Sequence, residues 1–308
     1  MKGVLLVNMG GPESPEELKI FLSRMFKDPA ILPYGKVVRH LLSFVISRSR
    51  YKKSWKKYQI IGGTPLVAST TKTANALQLA LGESYSVRYA FSYSNPDIRK
   101  SISDFRKEGI GDITVIPLYP HSSHTTTSSV KMELEAVIDG DPFFKVFFVD
   151  EFYQHPGFVA FWISQIKKHV EENAIENPIL VFSAHSIPEH FVLQGDTYPT
   201  GIVNSSALIA EKMGYHYEAA FQSGMRRGTW IGPDVREHLK ILAEEEVDNL
   251  VLVPISFVHE NLETLYDLDR ELIPYAKDSL GFKEVSRVKL PQADPLFVSL
   301  LVDLVQKK

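Results

Sequence analysis

Short apolar runs alternate with longer amphipathic segments along almost the whole chain. A run of about four to eight apolar residues is typical of a strand buried in a parallel sheet, whereas apolar residues spaced three and four apart indicate a helix. Helical periodicity is clearest at 98–107, 156–172 and 234–245. The pattern predicts eight strands, at residues 3–8, 86–93, 112–118, 145–149, 178–182, 217–222, 249–255 and 286–290. Strands that alternate with helices in this way indicate βαβ units and parallel sheets.

The two halves of this pattern resemble each other. Residues 111–117 (GDITVIP) follow a helix, as residues 247–254 (VDNLVLVP) do, and both segments bring an apolar strand to a proline. A histidine, His121 or His259, follows shortly after each proline. Ancient duplication explains this likeness, and so do two sheets that obey the same folding rules.

The fold class expected from this pattern is α/β, with two similar doubly wound domains. Each has a four-stranded parallel sheet flanked by helices, and a cleft lies between them. We place the N-terminal domain at 1–150 and the C-terminal domain at 151–308, and we leave open whether the last helix packs back on the first domain. A chain of 308 residues is long enough for two domains.

Composition narrows the chemistry. Apolar residues make up 44% and charged residues 23% of the chain, and a net charge of -3 suggests no nucleic-acid partner. The chain has no cysteine, which excludes disulfides, thiolate nucleophiles and cysteine-held zinc or iron–sulfur clusters. Metal binding is therefore left to His, Asp and Glu. A strand that begins at Gly3 leaves no room for a signal peptide, and no apolar run approaches the roughly 20 residues of a membrane span. We expect a cytoplasmic protein.

The strand at 178–182 runs into the segment SAHSIP, which carries His185. Ligands of open α/β sheets bind beyond the carboxyl ends of the strands. The strand at 249–255 leads in the same way to Glu263. An imidazole and a carboxylate that arrive from two strand ends can bind a metal or move protons. Taken alone, however, a histidine at a strand end is more often a hydrogen-bonded loop residue than a catalyst.

Four acidic residues around Glu263 fall at spacings of three, four and four: Glu260, Glu263, Asp267 and Glu271. On a helix they share one face, with Leu262, Leu265 and Leu268 on the opposite, packed face. Like charges in a row cost about 0.2–0.5 kcal/mol per pair on an exposed helix. The row therefore suits a path for a cation or protons, and a solvated acidic face is the alternative.

Three other segments bear on binding. The loop from His121 to Ser129 is rich in hydroxyls and contains His124, and we interpret it as a polar lining for a ligand rather than a metal site. Residues 10–11 are a glycine pair but form no G-x-G-x-x-G fingerprint, so dinucleotide binding is not favoured. Ser14, Pro15 and Glu17 after that pair predict a capping box.

A basic tract at 36–57 interleaves cations with apolar residues such as Leu41, Leu42 and Phe44. An amphipathic solvated helix accounts for this pattern. The alternative is an apolar lip rimmed by cations, which suits a flat hydrophobic ligand that carries carboxylates.

Six segments, in order along the chain, resemble motifs of the ferrochelatases, which insert ferrous iron into a porphyrin. They are residues 5–12 (LLVNMGGP), 61–66 (IGGTPL), 117–120 (PLYP), 183–188 (SAHSIP), 221–223 (FQS) with Trp230 and Pro233, and 262–269 (LETLYDLD). The resemblance implies a chelatase-like fold and a lyase that forms protohaem from Fe²⁺ and protoporphyrin IX, with release of two protons, as the last step of haem biosynthesis. It implies catalytic and metal-binding roles for His185 and Glu263, with Asp267 and Glu271 continuing the acidic row. The substrate-binding residues that it implies are Met9, Arg50, Lys53, Thr64 and Tyr119.

The chain also departs from that family pattern. Ser92 stands where many relatives have Arg or Lys, and His259-Glu260-Asn261 replaces Ser-Asp-His before the glutamate. No cysteine-bearing extension for an iron–sulfur cluster is present, so we expect no cofactor, with Fe²⁺ as a substrate. Met9 stands where coproporphyrin-using relatives tend to carry Tyr, which favours protoporphyrin.

Alternatives remain at this point. They are a chelatase for coproporphyrin III or another metal and tetrapyrrole, and a non-catalytic solute-binding protein built around a cleft. The expected partners are a porphyrin and ferrous iron, without nucleic acid. We favour a monomer and leave open a peripheral contact with the inner membrane face.

Overall fold

The computed structural model describes residues 1–224, 228–290 and 292–307. Within these residues there are eight strands: β1 (Lys2–Asn8), β2 (Tyr85–Phe91), β3 (Asp112–Pro117), β4 (Lys145–Phe148), β5 (Ile179–His185), β6 (Tyr217–Gln222), β7 (Asn249–Val253) and β8 (Glu284–Arg287). The α-helices are α1 (Pro15–Lys27), α2 (Lys36–Ile60), α3 (Leu66–Leu81), α4 (Ile98–Lys107), α5 (Thr127–Ile138), α6 (Pro156–Glu172), α7 (Glu189–Leu193), α8 (Tyr198–Met213), α9 (Val235–Glu244) and α10 (Pro295–Gln306). Two segments are π-helices, π1 (Glu263–Leu272) and π2 (Tyr275–Ser279).

The strands form two four-stranded sheets with the same topology. Their orders are β2-β1-β3-β4 and β6-β5-β7-β8, and every pairing is parallel. One detail repeats beyond topology: Phe91 N donates to Pro96 O in one sheet region and Phe221 N to Pro233 O in the other, both at 2.8 Å. The predicted α/β fold with two similar four-stranded parallel sheets is confirmed.

The chain divides into two compact units. Unit 1 comprises Met1–Tyr119, Ser123–Glu151 and Gln292–Lys308, and unit 2 comprises Pro120–Ser122 and Phe152–Pro291. Helix α10 belongs to unit 1, where it packs against α3. The short segment Pro120–Ser122 belongs to unit 2 because His121 stacks on Tyr153, with ring centroids 5.0 Å apart.

Two strands differ from their predicted bounds by three residues at their carboxyl ends, and the others by at most two residues at either end. β5 continues three residues past Phe182, and His185 pairs with Gln222 as the last position of the ladder. β8 covers 284–287 rather than 286–290. In β5 the strand outlasts the apolar run, because the ladder needs only backbone groups and continues through the polar Ser183 to His185.

The core of unit 2 positions the segment that follows β7. Val181, Ala220 and Leu252 pack on one face of the sheet with Leu268 and Leu272 of π1. π1 therefore covers the face from which Val181 points. Ser183 and His185 point from that same face, because side chains two residues apart on a strand share a side.

Candidate active site

His185 occupies the carboxyl end of β5, the second strand in the order of its sheet. The strand end is held by its neighbours: Ser186 N donates to Gln222 O at 2.8 Å, and the Tyr198 hydroxyl donates to His185 O at 3.0 Å. The backbone of His185 is thus anchored to β6 and to α8. Its side chain is left to face π1.

Glu263 is the first residue of π1, and Asn261 holds it there. The Asn261 Oδ1 atom accepts from Glu263 N at 2.9 Å and from Thr264 N at 3.0 Å. These bonds satisfy two of the amides that a helix start leaves without partners. Asn261 is therefore a cap that orients the first turn and the carboxylate of Glu263.

His185 and Glu263 meet. The Nδ1 atom of His185 lies 3.0 Å from Oε2 of Glu263, and the two side chains are 40% and 30% exposed. A carboxylate on Nδ1 orients the ring and favours Nε2 as the atom that takes a proton or a metal. The pair is ordered by the protein and remains open to a ligand.

Burial alone would lower the pKa of His185. The carboxylate of Glu263, the hydrogen bond to it and the charge of Asp267 outweigh burial and raise the pKa of His185 above its usual value of 6.5. The imidazole therefore binds a proton more tightly than an unperturbed histidine does, which suits a group that accepts a proton from a substrate.

The acidic row continues from Glu263 along π1. Asp267 is half-buried, and its Oδ2 accepts from the Ser223 hydroxyl at 3.3 Å. Glu271 is exposed. An i→i+5 helix has a wider turn than an α-helix, and residues four apart stay close to one face. The row thus runs from the His185 pair outward to solvent.

One expectation about this row was wrong, and a second holds for Leu268 alone. Glu260 precedes π1, and its carboxylate accepts from the buried Arg287 guanidinium at 3.0 Å instead of continuing the row. The buried residues of π1 are Thr264, Leu268 and Leu272, whereas Leu262 and Leu265 are half-buried. A π-helix buries residues four apart, and the predicted spacing of three belongs to an α-helix.

The other two histidines near strand ends are buried. His121 is a core residue rather than part of a ligand lining, since its Nε2 lies 2.9 Å from Ser205 Oγ and burial lowers its pKa to about 3. Burial also lowers the pKa of His259 to about 4. Both rings are neutral at physiological pH, and only His185 of the three has a raised pKa.

In unit 1, the glycine pair after β1 brings several predicted residues together. Gly10 has φ +86°, and a Cβ there would lie 1.9 Å from the Ser94 hydroxyl. A Cβ on Gly11 would lie 2.3 Å from Thr64 Oγ1. The loop that carries Met9 therefore packs against Thr64, and the family resemblance implies that both residues bind the same ligand. As predicted, Ser14 Oγ accepts from Glu17 N, but Glu17 reaches back to Glu13 N rather than to Ser14 N.

Helix α2 carries Arg50 and Lys53, both exposed. It meets α1 through small polar residues: Ser43 Oγ donates to Ser23 O at 2.8 Å, and only Ser43, Ser47 and Tyr58 are buried among its residues. Several of its apolar side chains point outward, with Leu41 65% and Phe44 55% exposed. No helix among the described residues is long and apolar enough to cross a membrane.

Tyr119, at the end of β3, is half-buried and packs against the core of unit 1. Burial raises its pKa, and the charges of Asp28 and Glu133 add to this effect. Tyr119 is thus a neutral phenol beside a polar group in which Asp28 accepts from Tyr93 at 2.7 Å.

Comparison with known proteins is decisive for the family. The ferrochelatase family model matches residues 1–308. A ferrochelatase of Aquifex aeolicus is 38% identical over 314 residues, covering 100% of this chain and 99% of the relative. One of Geobacter metallireducens is 35% identical, covering 99% and 97%. The chain belongs to the ferrochelatase family.

Solved structures agree on the fold. SirB from Bacillus subtilis with Fe³⁺ is similar with a TM-score of 0.59 at 13% identity, covering 100% of this chain and 97% of that one. CbiX, described as the terminal enzyme of sirohaem biosynthesis in denitrifying bacteria, gives 0.53 at 14% identity, covering 99% of each chain. Membership in the ferrochelatase family makes the protein a chelatase, an enzyme that inserts a metal into a porphyrin.

The sequence assigned no role to several residues near the site of this ferrochelatase-family protein, although one of them, Gln222, lies in the motif at 221–223. Gln222 faces the same side as His185, and both atoms of its buried amide lack a partner among the described residues, as does the buried Ser183 hydroxyl. Tyr198 and Arg287 were missed because neither stands in a recognisable motif. Within the described part of the chain, no group of three or more His, Cys, Asp or Glu residues is arranged to hold a metal.

Proposed function

We propose that the protein is a lyase that inserts Fe²⁺ into protoporphyrin IX and forms protohaem, the last step of haem biosynthesis. The observation that carries this proposal is the His185–Glu263 pair at 3.0 Å on a strand end, in a chain of the ferrochelatase family. Fe²⁺ is a substrate here, and a transient donor site suits an ion that must be released.

The chemistry requires a proton acceptor. Two pyrrole N–H bonds break and all four ring nitrogens bond to the iron; two protons leave as one Fe²⁺ enters, so the charge balances. Neutral His185 takes a proton at Nε2, and Glu263 stabilises the imidazolium. Asp267 and Glu271 continue from Glu263 toward solvent, which gives protons or the incoming ion a route along carboxylates.

The porphyrin needs recognition of a flat apolar ring and two carboxylates. We assign Met9 to a ring face, Arg50 and Lys53 to the propionates, and Thr64 and Tyr119 to the surrounding loops. A charge-assisted contact is worth about 1.5–3 kcal/mol when sheltered and much less when exposed. Met9 rather than Tyr at its position favours protoporphyrin IX over coproporphyrin III.

The setting of the reaction is part of the same proposal. The enzyme works as a cytoplasmic monomer, without a resident cofactor, and the chain has no cysteine to hold an iron–sulfur cluster. The outward apolar residues of α2, with cations around them, touch the inner membrane face from which an apolar porphyrin arrives.

Anaerobic incubation with Fe²⁺ and one tetrapyrrole at a time, followed by absorbance, tests the proposal. Protoporphyrin IX, coproporphyrin III and sirohydrochlorin are compared. We expect fastest metallation of protoporphyrin IX, and at least about a 100-fold loss in His185→Ala. His190→Ala, which changes an exposed histidine five residues away, is the matched control.

Three outcomes would overturn parts of the proposal. Preference for coproporphyrin III or sirohydrochlorin would reassign the substrate. Binding of every tetrapyrrole without metallation would make the protein a binding module. Near-normal turnover by His185→Ala, with porphyrin still bound, would remove His185 from the chemistry.

A further inference from the structure

Arg287, a buried arginine on β8, binds two carboxylates, Glu260 just before π1 and Asp269 within it. The side chain of Arg287 is 2% exposed, and its Nε and Nη2 atoms donate to the two carboxylate oxygens of Asp269 at 2.7 and 2.8 Å. Nη1 donates to Glu260 at 3.0 Å and to Val288 O at 3.1 Å. Every nitrogen of the guanidinium is therefore engaged, in the bidentate geometry that only arginine provides.

Glu260 connects Arg287 to the first turn of π1 through further hydrogen bonds. Its Oε1 atom also accepts from Leu290 N at 2.9 Å, and its second oxygen accepts from the Thr264 hydroxyl. Thr264 Oγ1 in turn accepts from Asn261 N at 3.0 Å, and Asn261 caps Glu263. A continuous set of hydrogen bonds therefore joins Arg287 to the backbone of Glu263.

The helix type explains why such an anchor is needed. π-Helices usually appear as single turns, yet π1 has ten residues. Leu262, the residue before Glu263, offers no side-chain cap. Glu260 stands before π1 and Asp269 stands within it. One guanidinium therefore holds the chain at two points, one on each side of Glu263 and Asp267.

Stability is a weak explanation for this arrangement. Burying an ion pair costs desolvation that its attraction often only balances, and apolar replacements can be equally stable. A buried polar network does restrict the backbone to one geometry, and a carboxylate 3.0 Å from His185 requires that restriction.

We propose that Arg287 is a positioning residue for the metal and proton site: its guanidinium, through Glu260 and Asp269, sets the π-helical turn that places Glu263 against His185. The inference rests on the proposed role of Glu263 in metal insertion. Arg287 itself contacts no substrate.

Arg287→Lys is the first test. Lysine keeps the charge but cannot form both the bidentate pair with Asp269 and the bond to Glu260. Residues that orient a reactive group typically contribute about 10- to 100-fold to activity, and we expect kcat for Fe²⁺ insertion to fall by that factor. KM for porphyrin should change by less than about twofold, because no porphyrin contact is lost. Lys277→Gln, which breaks the half-exposed Lys277–Glu284 pair to the same strand, is the matched control and should leave kcat unchanged.

Two further variants distinguish an effect on the position of Glu263 from an effect on folding: a single Asp269→Asn substitution and a triple variant that removes the charges of the network. Asp269→Asn keeps the shape of the network and should lower kcat with a smaller loss of melting temperature. Arg287→Met alone leaves two carboxylates unpaired, and adding Glu260→Gln and Asp269→Asn removes those charges. We expect this triple variant to regain melting temperature while kcat stays low.

Recovery of kcat together with melting temperature in the triple variant would make the network merely structural. Unchanged kcat in both Arg287→Lys and Asp269→Asn, at temperatures well below melting, would overturn the inference as well. Failure of the unmodified protein to metallate any porphyrin would instead refute the proposed function, so the two failures are distinguishable.

Discussion

At the scale of single residues, three histidines near strand ends have three different environments. His121 and His259 are buried and neutral, whereas His185 is partly exposed and paired with a carboxylate. His185 is the last residue of β5, whereas His121 and His259 follow the ends of β3 and β7 by four and six residues. Their difference comes from what packs against each ring: Tyr153 on His121, and the start of π1 beside His185.

The raised pKa of His185 predicts a pH dependence. In the proposed mechanism neutral imidazole accepts the proton, so kcat/KM should rise with pH through a pKa above 6.5. Glu263→Gln removes the largest upward influence, while burial still lowers the pKa and Asp267 still raises it. The acid limb should therefore move to lower pH as the maximal rate falls. Profiles of kcat/KM against pH for both proteins check this, and a limb that moves upward or stays fixed contradicts it.

The same pair links pH to stability with a definite sign. Because the folded-state pKa of His185 is raised, the pair stabilises the fold fully below about pH 6.5, the unfolded value. That contribution is lost as pH rises through the folded-state pKa. Activity and this part of stability therefore change in opposite directions across the same window.

At the scale of elements, π1 arranges its three acidic residues in a row that leads from His185 to solvent. Glu263 pairs with His185, Asp267 bonds Ser223, and Glu271 is exposed. Glu271 is therefore the most hydrated member of the row.

The gradient in π1 predicts a gradient in rate. Glu263→Gln should lower kcat about 100-fold or more, Asp267→Asn about tenfold, and Glu271→Gln about twofold. Each substitution keeps shape and removes charge, and Asp278→Asn, on the exposed face of π2, is the control. Steady-state metallation measures all four. Equal and mild effects at the three row positions would instead support a solvated acidic face.

Helix α2 predicts a binding effect rather than a chemical one. If Arg50 and Lys53 hold the propionates, replacing both with Ala should raise KM for porphyrin about tenfold, equal to about 1.4 kcal/mol, and change kcat less. The control replaces Lys167 and Lys168, an exposed cation pair on α6. An unchanged KM, together with equal binding of porphyrin esterified at its propionates, would leave α2 as a solvated helix.

At the scale of the whole molecule, charge is unevenly distributed. The net charge is -3, yet α2 contains eight Lys or Arg residues and no Asp or Glu. A negative protein would avoid an anionic surface unless one region were strongly cationic. In α2 the exposed apolar residues and the cations occur together, which is the combination that binds membrane interfaces.

This distribution predicts salt-sensitive binding to vesicles. The protein should sediment with phosphatidylglycerol vesicles but not with phosphatidylcholine vesicles, since each cation near an anionic surface adds about 1 kcal/mol. High salt should release it, and Phe44→Ser should weaken it. Leu79→Ser removes an exposed apolar residue from α3 and should have no effect. Binding that ignores lipid charge, or equal effects of the two substitutions, would contradict the proposed membrane contact.

The sequence alone determined the order of elements, the parallel sheets, the position of His185 at a strand end and that of Glu263 in the segment that follows β7. These features follow from local periodicity, and bounds such as Ile98–Lys107 and Pro156–Glu172 agree with the structure. Motif order along the chain also indicated the family that the comparisons confirm.

Only the tertiary structure decided which carboxylates act together. His185 and Glu263 are 78 residues apart, and Arg287 and Glu260 are 27 apart, so no local pattern reports either pair. Spacing placed Glu260 in the acidic row, but a buried guanidinium on β8 binds it instead. The widening of an expected α-helix into π1, and the burial of His121, likewise depend on packing partners distant in sequence, because packing can override local propensity.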